Sequence, residues 1–149
     1  MVPLLVLVVT FILFRILKRN TIDAARYAFA AMFALTASSH FVPSQRVDLI
    51  AMVPPMFPRP ALIVAITGVL ELLGAIGLLV PRTSRLAAAA LALLLVAMFP
   101  ANIYAAMHEL TIMGRPATAL LPRTLMQLLF IGGLAMIAWR PRRLQPAMV

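Results

Sequence analysis

The chain has 149 residues, of which 64% are hydrophobic and only 11% charged, an apolar share well above that of an ordinary soluble domain. It contains 13 lysines and arginines, four acidic residues and no cysteine. The lack of cysteine excludes disulfides, iron–sulfur clusters and thiolate zinc sites, so any redox centre would belong to another molecule. The length and the blockwise arrangement of apolar residues predict a single membrane domain.

Five apolar segments follow one another along the chain, separated by short connections that carry proline and arginine. They cover about residues 2–17, 21–42, 61–80, 86–107 and 120–139. Segments of this length predict transmembrane helices, although the first is slightly short and would need its flanking basic side chains to snorkel. The expected fold class is therefore an all-α membrane protein with five crossing helices.

Residues 43–60 contain five prolines, too many for a regular helix throughout, and yet many of the other side chains are apolar. We expect a short interfacial helix followed by a proline-rich cap. Exposure of the apolar side chains of Met56 and Phe57 to water would be unfavourable, so residues 53–60 should pack over the outer mouth of the bundle. The alternative interpretation is a loop at headgroup level with no ligand role.

The basic residues lie at the ends of the apolar segments, which predicts the orientation of the protein in the cell membrane. If the amino terminus is outside, the richer side has eight of them, Lys18, Arg19, Arg26, Arg82, Arg85, Arg140, Arg142 and Arg143. The other side then has Arg46, Arg59, Arg115 and Arg123. The imbalance predicts an outside amino terminus and a cytoplasmic carboxyl terminus. The sequence has no basic face with interleaved aromatic residues of the kind that binds nucleic acid. Membrane lipids are therefore the expected partners of these charges.

Glu71 is the most informative polar residue because it falls near the middle of the third apolar segment. A carboxylate at the centre of a bilayer costs about 2.5 to 3.5 kcal/mol, so lipid exposure is disfavoured. Helical periodicity places Glu71 on one face with Thr67, Gly68, Gly74 and Ala75, which are small enough to let another helix approach. Glu71 should therefore face the bundle interior.

Antiparallel threading brings four other polar side chains toward the depth of Glu71. With a rise of 1.5 Å per residue, Glu71 lies about 15 Å and Gln127 about 10 Å below the outer surface. His40, Asn102 and Arg123 fall in the outer half as well. We therefore expect Glu71 to hydrogen-bond to at least one of these four residues, and the five together are the candidate ligand-binding residues. The alternative roles are a capping histidine for His40 and interhelical hydrogen bonds for Asn102 and Gln127.

The sequence contains no motif for binding a metal, a haem or a phosphate, and none for a catalytic nucleophile. His40 and His108 do not make a convincing ligand set for a metal or a haem. Phosphate-binding glycine loops and nucleophile elbows are missing as well. We therefore expect no metal and no intrinsic cofactor, and the catalytic residues, if there are any, stay unassigned.

Four stretches of the chain resemble the DoxX-like family of small membrane proteins. They are Ser38-Ser-His-Phe41, the proline-rich residues 52–60, the run 67–81 around Gly68, Glu71 and Gly74, and residues 98–104. The resemblance covers about residues 24–139 and implies a four-helix core with one added amino-terminal helix. It also implies association with respiratory or oxidative-stress systems, including membrane subunits of thiosulfate:quinone oxidoreductases and membrane partners of detoxifying enzymes. It supplies no agreed catalytic residues.

Three functions remain open at this stage. The first is an accessory membrane subunit that binds a quinone, a lipid or another lipophilic molecule between its helices and associates with a redox enzyme or a second copy of itself. The second is an enzyme that uses Glu71 for acid–base chemistry on a lipid-soluble substrate. A carrier or channel ranks last, because few polar residues line any path and no inverted repeat is present. Free space beside Glu71 would distinguish the first two.

Overall fold

The computed structural model describes residues 2–112, 114–116 and 118–139. These residues form six helices and one short hairpin: α1 (Val2–Ile16), α2 (Thr21–Ser39), α3 (Pro43–Ala51), α4 (Pro60–Leu79), α5 (Ser84–Met107), β1 (Thr111–Ile112), β2 (Arg115–Pro116) and α6 (Leu120–Ala138). The two strands pair antiparallel. The basic residues predicted near the carboxyl terminus, Arg140, Arg142 and Arg143, lie outside the described residues.

The long helices fall on the five predicted apolar segments. Three of them, α4, α5 and α6, are long and apolar enough to cross a membrane, whereas α1 is apolar but only 15 residues long. α2 ends at Ser39, three residues earlier than predicted, because Pro43 begins α3 and His40 closes α2. Pro100 is accommodated inside α5. That all five segments cross the membrane stays a prediction.

Four helices surround the core. α2 packs against α4 and α6, and α5 also packs against α4 and α6, so α4 and α6 occupy diagonal positions. α1 lies outside this group and packs along α2, where the rings of Phe14 and Tyr27 stack with centroids 4.6 Å apart. The order of the helices decides which polar side chains can meet, because diagonal helices are separated by the core.

Small residues let the core helices approach closely. The buried face of α4 repeats every three or four residues, as Val64, Gly68, Glu71, Gly74, Ala75 and Leu78. A Cβ added to Gly133 would lie 2.6 Å from the Phe29 ring, which shows how tightly α6 packs against α2. Large side chains fill the remaining space, with Phe33, Leu78, Leu91 and Leu134 at most 1% exposed. This packing resembles that of membrane helices whose small residues form the contacts.

The end of the bundle where α4 and α6 finish is held by two arginines, and we call it the arginine end. Arg26 is 2% exposed, and its guanidinium donates to the carbonyl oxygens of Leu78 (2.9 Å) and Leu79 (3.0 Å) and to Asp23 (2.6 Å). Arg85 donates to the Ala138 carbonyl at the end of α6. Cationic donors satisfy the free carbonyls and the negative dipole end of a helix. From the sequence, Arg26 is expected among the basic residues near the lipid headgroups. In the structure it is buried instead and caps the end of α4.

At the opposite end, the cap end, α3 and residues 52–59 lie beside the start of α4. Met52 is 8% exposed and Val53 is half-buried. The prediction that residues 53–60 pack over the bundle is wrong for Met56, which is 81% exposed. Phe57 is 41% exposed but lies against the bundle, where it borders a cavity together with Val53 and Pro54. A hydrogen bond from the Phe57 amide to the Pro54 carbonyl closes a turn here, and Met56 occupies a central position of that turn.

Candidate functional site

A cavity of about 210 Å³ lies at the cap end, between α3, the connection that follows it, α4 and α5. Most of its wall is apolar and includes Met52, Val53, Ile63, Met98 and Pro100. Three polar side chains also border it, namely His40, Thr67 and Asn102. An apolar wall with a few polar groups is the usual composition of a small-molecule site.

The volume of the cavity limits what it can hold. An apolar cavity of about 150 Å³ is enough to bind benzene, whereas drug-sized ligands occupy roughly 300 Å³ or more. At about 210 Å³, this cavity fits a single ring with small substituents. A long hydrocarbon tail attached to such a ring would have to extend beyond the cavity.

His40 and Glu71 form a buried pair next to the cavity. They are 4% and 3% exposed, and His40 Nδ1 lies 3.9 Å from Glu71 Oε2. Glu71 therefore faces the interior, as predicted. The predicted hydrogen bond is not formed, however, because 3.9 Å exceeds hydrogen-bond distance and, among the described residues, Oε2 has no hydrogen-bond partner. The Thr36 hydroxyl is the other polar neighbour of the carboxyl.

Gly68 allows His40 to reach this position. A Cβ on Gly68 would lie 2.5 Å from the Cβ of His40, closer than side chains tolerate. Since Gly68 and Glu71 lie one turn apart on α4, the missing side chain of the first lets the end of α2 settle beside the second. The sequence predicts a close helix contact here, but it does not identify the side chain that occupies the space.

A second polar group connects α5 with α6. Arg123 Nη1 donates to Asn102 Oδ1 (2.9 Å), Asn102 Nδ2 donates to Gln127 Oε1 (3.2 Å), and Gln127 Nε2 donates to the Leu95 carbonyl (2.7 Å). The chain starts at a group that can only donate and ends at one that can only accept. The orientations of both amides are thereby determined.

The predicted cluster of five residues is therefore divided in two. His40 and Glu71 lie where α2 meets α4, whereas Arg123, Asn102 and Gln127 lie where α5 meets α6. Arg123 and Gln127 stay apart from Glu71 because α6 is diagonal to α4, and Asn102, on α5, hydrogen-bonds with both of them. The cavity borders both groups, through His40 on one side and Asn102 on the other.

Sequence reasoning missed several residues of this site. Thr36 accepts the Nδ1–H of His40 on its backbone carbonyl (3.1 Å) and lies one helical turn before it, a spacing that could have indicated the contact. Thr67, predicted only as a small residue on the face of Glu71, borders the cavity. Glu71 itself is not among the bordering residues. Within the described part of the chain, no three His, Asp or Glu residues lie close enough together to hold a metal.

A known protein family matches most of the chain. The model of the family described as "Domain of unknown function (DUF8561)" matches residues 29–141. The chain belongs to this family. The match includes both polar groups and the whole cavity, while α1 precedes it. No curated protein and no solved structure matches the chain, and the resemblance to the DoxX-like family stays a prediction.

Proposed function

We propose that this protein is a multi-pass membrane protein that binds the ring of a quinone-like or other lipophilic molecule in the cavity at the cap end, as an accessory subunit of a redox system. The observation that carries the proposal is an apolar, ring-sized cavity bordered by His40, Thr67 and Asn102. Each of these side chains can hydrogen-bond to a ligand, and the apolar wall favours a lipophile over a soluble metabolite.

The membrane arrangement is part of the proposal. In it, α1 and α2 cross the membrane together with the three longer apolar helices, the amino terminus is outside and the carboxyl terminus is cytoplasmic. The helices that surround the core then form a DoxX-like four-helix unit, with α1 added on the outside. Large apolar side chains exposed along the longer helices suit a lipid environment, as at Leu62, Ile66, Leu73, Leu93 and Leu128.

The accessory role follows from what the residues can do. The chain contains no cysteine, so a thiol or iron–sulfur centre would have to come from a partner. The exposed tip with Met56 and Phe57 offers a small apolar contact for a redox enzyme or for a second copy of the chain. Electrons would then pass to or from the bound molecule on that partner.

Mass spectrometry of gently extracted protein tests the binding directly. We expect a lipophilic molecule to copurify with the wild type and to be lost from Ala101→Phe, which places a ring in the cavity wall. Ala89→Phe is the matched control, because Ala89 lies on the same helix but is exposed. Repeated absence of any lipophile from the wild type would refute the proposal, as would equal retention by the two variants.

An enzymatic role is the second candidate, and the buried Glu71 oxygen without a partner is the observation that favours it. A buried carboxyl with an oxygen that lacks a hydrogen-bond partner, next to a histidine, is a feature of acid–base sites. In this protein a proton moving between Glu71 and the cavity would have to pass through His40, because His40 borders the cavity and Glu71 does not. Conversion of a lipid-soluble compound by the wild type, lost in Glu71→Gln, would establish this role.

A further inference from the structure

We infer that the cavity prefers hydroxylated aromatic lipophiles, such as phenols and quinols, to the corresponding ethers and quinones, because Nε2 of His40 accepts a hydrogen bond from the ligand hydroxyl. This inference rests on the proposed binding of a lipophile and specifies its chemistry. It is drawn from the direction of the hydrogen bonds around two side chains on different walls of the cavity.

The hydrogen bond between His40 and Thr36 determines which ring nitrogen of His40 carries the hydrogen. Nδ1 lies 3.1 Å from the backbone oxygen of Thr36, and a carbonyl oxygen can only accept. Nδ1 must therefore be the donor. In the neutral ring this leaves Nε2 with a free lone pair, so the imidazole presents an acceptor to anything that meets its other nitrogen.

The surroundings of Nε2, the other ring nitrogen of His40, differ from those of Nδ1. Among the described residues, no hydrogen bond to Nε2 is formed, and the fully buried atoms without a partner are Arg46 Nε and Glu71 Oε2. His40 is 96% buried and yet borders the cavity. An acceptor in this position is complementary to a ligand donor, since leaving it unpaired in an apolar site costs free energy.

The charge of the imidazole ring depends on its burial and on the groups around it. His40 is buried, and burial disfavours the charged imidazolium because the cation loses its solvation by water. The carboxyl of Glu71 lies on the Nδ1 side of the ring and does not compete for Nε2. The neutral ring that burial favours can accept a hydroxyl hydrogen at Nε2.

The other wall supplies a donor. Asn102 has its oxygen engaged by Arg123 and one amide hydrogen engaged by Gln127, which leaves the second amide hydrogen uncommitted. A quinol can donate one hydroxyl to His40 and accept from Asn102 on another oxygen. A quinone has only acceptors, so it can satisfy Asn102 but leaves Nε2 unpaired. An ether likewise has no hydrogen to donate.

The experiment compares ligands that differ by one hydrogen-bond donor. Binding of 4-tert-butylphenol and 4-tert-butylanisole to wild-type protein in nanodiscs is measured by calorimetry at pH 7. We expect the phenol to bind about 3- to 10-fold more tightly, the gain of one hydrogen bond to a buried acceptor. Trimethylhydroquinone under anaerobic, reducing conditions should likewise bind more tightly than trimethylbenzoquinone.

Two histidine variants identify the atom responsible. His40→Asn keeps a donor near the Thr36 carbonyl but removes Nε2, so the preference for the phenol should fall to about onefold, that is, equal binding. His108→Asn is the control, because His108 makes the same contact to a carbonyl four residues earlier, Tyr104, but is exposed. It should keep the preference of the wild type.

The outcomes separate this inference from the proposed function. Equal binding of phenol and anisole by the wild type overturns the inference while lipophile binding stands. The same holds for a preference that survives in His40→Asn, which would mean that another group accepts the hydroxyl. If no probe binds and no lipophile copurifies, the proposed function fails as well. The wild-type comparison decides the matter even if His40→Asn does not fold.

Discussion

The two ends of the bundle use polar side chains in opposite ways. At the arginine end, Arg26 donates to three oxygens, and Arg85 covers the last turn of α6. At the cap end, Nε2 of His40 and Oε2 of Glu71 have no hydrogen-bond partner among the described residues, although both side chains are buried. Saturated polar groups stabilise a fold, whereas buried groups without partners are available to a ligand.

The two ends use different donors for the carbonyls of the helices that finish there. α4 and α6 end at the arginine end, where their last carbonyls need donors, and a buried arginine supplies several at once. At the cap end the same helices begin, and α4 starts with Pro60, which has no amide hydrogen to satisfy. α2 and α5 end there instead, and the carbonyls of Thr36 and Tyr104 accept from the imidazoles of His40 and His108 rather than from a guanidinium. The cavity occupies the space between α4 and α5.

Replacing Arg26 should have the largest effect on stability. Arg26→Met leaves the Leu78 and Leu79 carbonyls without their donor and removes the ion pair with Asp23, whose other oxygen still accepts from Asn20, so we expect a loss of about 3 kcal/mol. Thermal unfolding in detergent, followed by circular dichroism, measures it. Arg82→Met is the control, because Arg82 is exposed, and it should change stability by less than about 0.5 kcal/mol. Equal losses in both variants would contradict the contrast between the two ends.

Enlarging Gly68 should have an intermediate effect and should also disturb the cavity. Gly68→Ala brings a methyl group to within 2.5 Å of the Cβ of His40, so α2 and α4 must separate, at a cost of about 1–3 kcal/mol. Binding of the phenol probe should weaken in parallel, since His40 moves. Gly132→Ala is the control on α6, because nothing lies within 4 Å of the new methyl group. A neutral Gly68→Ala would show that the contact is looser than described.

Replacing Glu71 should have the smallest effect on stability. Glu71→Gln removes the ionisable group but keeps a polar side chain of the same shape beside the Thr36 hydroxyl, so we expect a change of at most about 1 kcal/mol. The same unfolding measurement applies. A loss of about 3–5 kcal/mol would instead reveal a buried ion pair with protonated His40. Thr36→Val, which removes the hydroxyl alone, reports how much that neighbour contributes.

Much of the helical layout could be predicted from the sequence. The apolar segments and the prolines that separate them locate the helices to within a few residues, because hydropathy and the missing proline amide are local properties. The spacing of Gly68, Glu71 and Ala75 places Glu71 on a buried face, since helical periodicity is local as well. The exposure of Met56 was not predictable from its apolar character, because Met56 lies in the middle of a turn whose ends, Pro54 and Phe57, border the cavity.

The composition of the site depended on how the helices are arranged around one another. Depth along the membrane places His40, Asn102, Arg123 and Gln127 near Glu71, but depth says nothing about which helices are neighbours. The diagonal arrangement of α4 and α6 keeps Arg123 and Gln127 away from Glu71, and Asn102 pairs with those two residues, so that His40 is the one of the four beside Glu71. For Arg26 too, the sequence gives a charge near a helix start, and the carbonyl oxygens that it satisfies lie 52 and 53 residues away. The sequence by itself determined the helices and their buried faces through short-range periodicity, whereas contacts between residues far apart in the chain decided the cavity and its polar groups.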